Sequence, residues 1–373
     1  MRVVVAPNAF KGCLTAKQAA EAIARGVKAG GHDAVLAPVA DGGDGTLDAL
    51  VAGVGGTVMG TIARGPMGLP VRAHLGILSD GTGVVEMAQA SGLTLVPTGD
   101  RDPMRATSYG TGELLRAALS RRPGRIIMGL GGSATVDGGT GIARALGLKF
   151  LDADEKPLPD GGGALERLAR IDNTKLDPRV TATPIVIASD VTNPLLGPGG
   201  AARVFGPQKG ATPDQVETLE RGLARLGERL KADLGADVAE RPGAGAAGGT
   251  GAMLMALGAS LRPGVEVVLE ALRFGDLLNS ADLVITGEGK LDRQTLGGKA
   301  PAGVANAAAA AGVPCAAIVG SSEIEPAEAG LVAVRSLVDH FGDPATAMAK
   351  AEAGLATLAA AVVRSFSSAR MRR

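Results

Sequence analysis

GLGGSATVDGG, Gly129 to Gly139, follows an apolar run, Ile126 to Met128, and precedes a helix-like run, Ile142 to Leu148. Glycine lets a backbone approach a ligand closely, and a helix N-terminus aims unpaired N–H groups at an anion. Strand, glycine-rich turn and helix, in that order, are the local architecture of a phosphate cradle. Four more glycine-rich stretches recur along the chain: VADGGDGT (Val39 to Thr46), ASDVTNPLLGPGGA (Ala188 to Ala201), GAGAAGGTGA (Gly243 to Ala252) and ITGEGKLD (Ile285 to Asp292). Most carry acidic or amide residues and follow a short apolar run. Open α/β sheets bind ligands at such C-terminal strand ends. Any one of the five is as well explained as a tight turn; five together point to a ligand site.

Working outward, Val3 to Ala6 reads as a buried strand. A helix follows that opens on the capping-box pair Thr15 and Gln18 and ends at Gly30-Gly31. Ala34 to Ala37 reads as a second strand, and a short helix runs from Thr46 to Val51. The rhythm then changes: Val58 to Ala63, Val71 to Ile77 and Gly83 to Met87, joined by turns, predict an antiparallel meander. Helix and strand alternate again through Ile185 to Ala188. A long surface helix follows, opened by Thr212, Pro213 and Gln215, striped by Val216, Leu219, Leu223, Leu226 and Leu230, and stopped at Gly235. Strands at Leu283 to Thr286, Ala316 to Val319 and Leu331 to Val334 close the chain.

The economical topology is an insertion. Residues 1–55 and 253–373 build one five-stranded parallel sheet, and residues 56–252 form a second α/β domain with a mixed sheet. The alternative is two consecutive domains, which leaves too few N-terminal strands to close a core. An inserted domain places a ligand cleft between the halves, where the five loops could converge.

Composition narrows the partners. With 38 basic and 38 acidic residues there is no net charge to hold a polyanion. Aromatics are 2%, with no Trp, so single-stranded nucleic acid would find few stacking platforms. Cys13 and Cys315 have no metal-type spacing and read as reduced thiols of a cytoplasmic protein, and His32, His74 and His340 are scattered. No signal peptide is visible. The longest uncharged stretch, Ala300 to Ser322, is broken by Pro301 and Pro314 and reads as buried helix plus strand rather than a membrane span.

The motifs, taken together, resemble the two-domain glycerate kinase family of bacteria. That family shows AP-[DN]-[SA]-FK, ADGG-[DE]-GT, G-x-GGSAT-x-DGG, D-x-x-NPL, FGPQKGA, GAAGG-x-GA and ITGEG-[RK]-x-D, and this chain carries all of them in order from Ala6 to Asp292. It departs at Asn8-Ala9, where many members have Asp-Ser, and at Lys290, where Arg is common. The resemblance implies a flavodoxin-like parallel-sheet domain interrupted by an inserted α/β domain. It also implies transfer of the γ-phosphoryl group of ATP to D-glycerate. The 2-OH is the favoured acceptor, giving 2-phosphoglycerate, with 3-phosphoglycerate as the alternative.

Phosphoryl transfer needs phosphate cradling, Mg²⁺ and a group to orient the acceptor hydroxyl. Backbone N–H groups of Gly131, Gly132 and Ser133 are candidates for the phosphates, with Lys209 and Gly248 beside them; the GAGAAGG loop is the other candidate. Lys11 is a candidate cation for phosphate or for the glycerate carboxylate. Asp190 is the candidate proton acceptor, with Asp41 as a further catalytic residue. Asn193 and Asp292 are candidates for glycerate, and Asp41, Asp190 and Glu288 for Mg²⁺, which prefers oxygen ligands. Asp44 and Asp137 read more as turn formers. A homo-oligomer is left open.

Two rival classes stand beside the kinase. Gly129, Gly131 and Ala134 fit G-x-G-x-x-A, with Asp152 and Asp154 downstream, as in a nicotinamide-dependent dehydrogenase. A non-catalytic sensor or storage protein of the same fold is the other. It would not require the acids Asp41, Asp190, Glu288 and Asp292, all of which are present.

Overall fold

The computed structural model describes residues 1–293, 295 and 299–370. The chain divides into two compact units: Met1–Asp41, Asp48–Gly55 and Pro263–Arg373 in the first, Gly42–Leu47 and Gly56–Arg262 in the second.

The first unit is built on a parallel sheet. Val3, Val4 and Val5 are fully buried, the apolar run of a strand covered on both faces. That strand, Arg2–Pro7, lies between Asp33–Leu36 and Leu283–Gly287, with Cys315–Val319 and Ala333–Ser336 beyond. Every neighbour pair is parallel. Counted within this unit the strand order is 2-1-3-4-5, the flavodoxin-like order. Helix Ala16–Ala29 starts at the Thr15–Gln18 capping box. Its Gly26 packs so closely on helix Ala351–Arg370 that a Cβ there would lie 2.0 Å from the Ala356 carbonyl oxygen.

The second unit has a six-stranded mixed sheet in the order Ser260–Arg262, Ile185–Ala188, Ile126–Gly129, Gly83–Glu86, Pro70–Leu78, Gly56–Arg64. The first four strands are parallel, and Gly83–Glu86 turns the sheet antiparallel toward the Gly56–Arg64 hairpin. Helix Pro213–Leu234 has the Thr212–Gln215 capping box, a left-handed Gly235 at its end, and Leu219, Leu223, Leu226 and Leu230 buried along one stripe.

Several elements differ from expectation. Strand Ser260–Arg262 pairs with Ile185–Ala188, so the second unit runs to Arg262, past the expected boundary at 252. GAGAAGGTGA is the start of helix Ala246–Ala256, kinked by positive φ at Ala247, Gly248 and Gly249. The strands Lys149–Leu151 and Arg170–Asp172 form a small antiparallel pair of their own. Three-residue strands carry too few side chains to show a period.

Candidate active site

In the first unit, the strand order reverses direction between Arg2–Pro7 and Leu283–Gly287, the place where open parallel sheets bind ligands. The segments leaving these strands line a cavity of about 400 Å³. Asn8, Lys11, Asp41, Glu288, Asp292 and Lys299 stand on it, with Phe10, Leu337 and Met348. Local geometry explains the loops. The Asn8 N–H donates to the Gly287 carbonyl at 2.8 Å, and Phe10 and Leu14 exchange backbone hydrogen bonds at 2.9 Å, closing a tight loop that exposes Lys11. A Cβ at Gly287 would lie 2.1 Å from the Ile318 carbonyl oxygen, so only glycine fits beneath Glu288.

Glu288 is the electrostatic centre of this cavity. It is 7% exposed and accepts the Thr295 hydroxyl at 2.7 Å. Burial pushes its carboxyl above the usual range, the Thr295 bond and Lys299 pull it down, and the charges of Asp292 and Asp41 push it up. A buried acid raised by neighbouring carboxylates is one that a cation would relieve. Among the described residues no three His, Cys, Asp or Glu side chains cluster as a metal cage. Mg²⁺ does not need one, because it keeps waters and takes one or two carboxylates plus substrate phosphate. Asp41 and Glu288 therefore fit it.

The second unit carries a separate cluster around the opening motif. Gly132 is left-handed with φ 71°. The Lys209 ammonium is buried and donates to Ser133 Oγ at 2.8 Å and to the Thr135 carbonyl at 2.7 Å. Burial brings its pKa down to about 7, opposed by Asp137. Lys209, expected beside the phosphates, props the loop from inside. Gly248 meets the same loop: its Cβ would lie 2.1 Å from the Thr135 carbonyl oxygen, at φ 68°.

The helix contribution to a phosphate cradle is corrected. Helix Thr140–Ala145 begins well after Ser133, and its entry is plugged. Asp137 accepts the N–H groups of Ser108, Gly139 and Gly141 and the Ser108 hydroxyl, while Ile142 N–H donates to Ser108 Oγ. Asp137 is the turn former. The Gly131 N–H reaches the Gly42 carbonyl at 3.4 Å.

Three comparisons bear on this arrangement. A family model described as the glycerate kinase family matches residues 3–367. The chain belongs to the glycerate kinase family. It is 48% identical over 325 residues to a glycerate kinase of Bacillus subtilis (strain 168), covering 86% of this chain and 85% of that one. The figures are the same for a protein of Escherichia coli (strain K12) named glycerate 2-kinase. A crystal structure from Salmonella typhimurium LT2, described as glycerate kinase 2, superposes with TM-score 0.90 at 43% identity, over 100% of this chain and 99% of that one. Family membership makes this chain an enzyme, a phosphotransferase with an alcohol group as acceptor.

Within this glycerate kinase family member the dehydrogenase reading fails on geometry. A dinucleotide fingerprint opens directly into a helix, whereas Leu130 to Gly139 are irregular here. Asp152 is a turn residue whose carboxylate accepts the N–H groups of Asp154 and Lys156. Of the other candidates, Asp190 is exposed just beyond strand Ile185–Ala188. The Asn193 amide donates to the Gly199 carbonyl at 2.8 Å and so shapes its own loop.

One residue went unnoticed in the sequence. Glu86, 1% exposed, ends the mixed sheet's central strand and accepts the Leu47 N–H at 3.0 Å and the Gln89 amide at 3.1 Å. Burial pushes its carboxyl up to about 7, with Asp44 adding to the rise and these hydrogen bonds opposing it. It grips the ADGGDGT loop from below. An acid closing an otherwise apolar strand is the signal that marks it.

Proposed function

We propose that the protein phosphorylates D-glycerate with ATP, placing the phosphoryl group on the 2-OH. The observation that carries this reading is the 48% identity to the Escherichia coli protein named glycerate 2-kinase, over most of both chains. The acid and lysine set at the first unit's strand ends supports it.

Lys11 pairs with the glycerate carboxylate, with Asp292 beside it. Asp41 and Glu288 supply oxygen ligands for Mg²⁺; the bound ion would neutralise phosphate charge. Asp190 accepts the proton of the attacking hydroxyl. In a loose phosphoryl-transfer transition state that proton leaves late, so a positioned carboxylate serves. The Gly131 to Ser133 loop meets phosphate oxygens, held in shape by Lys209 and Gly248. The Thr135 hydroxyl, buried without a hydrogen-bond partner, supports a polar ligand or water near this loop.

The test is ADP release from ATP on addition of D-glycerate, followed by NMR identification of the phosphorylated carbon. 2-Phosphoglycerate is the expected product. 3-Phosphoglycerate would move the acceptor to the 3-OH, and no ADP release would overturn the reading.

A further inference from the structure

We infer that the apolar side of the first unit's cavity binds the nucleoside part of the phosphoryl donor. The inference rests on the reading that the enzyme uses a nucleoside triphosphate, and adds where the base and ribose go.

The cavity is two-sided. Its charged side is the set already described. Its other side is walled by Phe10, Leu337, Val338, Ala347, Met348 and Ala351. Glycerate is a three-carbon acid with two hydroxyls and has no apolar surface to lay against such a wall. A volume of about 400 Å³ also exceeds what so small a molecule fills, and lies in the range of sites that enclose ligands the size of a nucleoside. Met348 is 54% exposed, unlike its neighbours Ala347 and Ala351 at 3% each. A large apolar side chain left open at the lip of a cavity is surface that a flat heteroaromatic ring can cover. Met suits this task, because its polarisable sulfur makes favourable contacts with aromatic rings. Lys299 lines the same cavity as this apolar wall, so the wall and a cation for phosphate share one cavity. A molecule with a flat apolar end and an anionic end matches that pairing.

The experiment measures ATP binding by calorimetry without glycerate, in the wild type and in Met348→Asp. The substituted side chain is half exposed, so the change is compatible with folding, which circular dichroism checks. The ATP Kd should rise at least tenfold while the glycerate KM stays within twofold. In parallel, 8-azido-ATP is photocrosslinked to the wild type and the labelled peptides are mapped. Label should fall in peptides containing Phe10 to Leu14 or Leu337 to Ala351, and excess ATP should suppress it. An unchanged ATP Kd in Met348→Asp overturns the inference. So does label confined to residues 56–262, or a rise in glycerate KM without loss of ATP affinity. The calorimetric and crosslinking readouts do not require turnover, so failure of the kinase reading would appear separately, as absent ADP release with ATP binding intact.

Discussion

Lys209 Nζ lies 2.8 Å from Ser133 Oγ, so a fully buried ammonium is the internal prop of the glycine loop in the second unit. Its partners are a hydroxyl and a carbonyl. A cation hydrogen-bonded only to neutral groups is costly to keep charged, the Asp137 charge offsets that cost only in part, and this sets its pH behaviour.

Lys209 titrates near 7 in the folded state and, like any free lysine, at about 10.4 in the unfolded chain. Between these values the unfolded chain holds a proton that the folded one has released. Stability therefore rises with pH through that window, and falls as pH drops through 7. The urea midpoint of the wild type should climb from pH 7 toward pH 10, and that climb should vanish in Lys209→Met. Equal slopes in both proteins would show that the ammonium is not buried as described.

Glu86 has the opposite sign. Its folded pKa, about 7, lies above the unfolded value of about 4.3. Its contribution is complete below pH 4.3 and is lost as pH rises through 7. The difference in urea midpoint between wild type and Glu86→Gln should therefore shrink across that interval. A flat difference would place the carboxyl in water.

Asp190→Asn keeps the shape of the side chain and removes its charge. Its proposed role as proton acceptor predicts a fall in kcat of roughly 10²-fold or more, with the circular dichroism spectrum unchanged. Retention of more than about a tenth of wild-type turnover would transfer the role to another acid, with Asp41 the next to test.

Lys11→Met tests recognition of the carboxylate. A charge-assisted hydrogen bond lost here should raise the glycerate KM roughly tenfold or more. Glycerol, which has no carboxylate, should be a very poor substrate of the wild type. A rise in ATP KM alone would reassign Lys11 to the phosphates.

Much of the fold was readable because local signals agreed with one another. The Thr15–Gln18 and Thr212–Gln215 pairs announce helix starts, and both capping boxes form. Val3 to Val5 and Leu283 to Ile285 are unbroken apolar runs, as strands covered on both faces must be, and they pair in parallel. The short edge strand Ser260–Arg262 and the Ala246–Ala256 helix were missed. The first is too short to show a period, and the second opens on glycines that ordinarily break a helix. Part of the candidate site was equally plain: glycine loops carrying Lys11, Asp41, Glu288 and Asp292 were visible as motifs, and one cavity brings these four together.

By itself the sequence determined most element types, the glycine loops and the family, because capping, periodicity and long motifs are written in neighbouring residues. Only the tertiary structure decided how polar groups were spent. The motif cannot say that Ser108 donates its N–H and hydroxyl to Asp137, or that Lys209 is buried under Ser133, since each partner comes from a distant part of the chain. The same holds for Glu86. Its carboxyl is shifted because folding removes water from around it while an acid distant in sequence, Asp44, comes near. Hydrogen-bond saturation and desolvation belong to three-dimensional neighbours, and those exist only once the chain has packed.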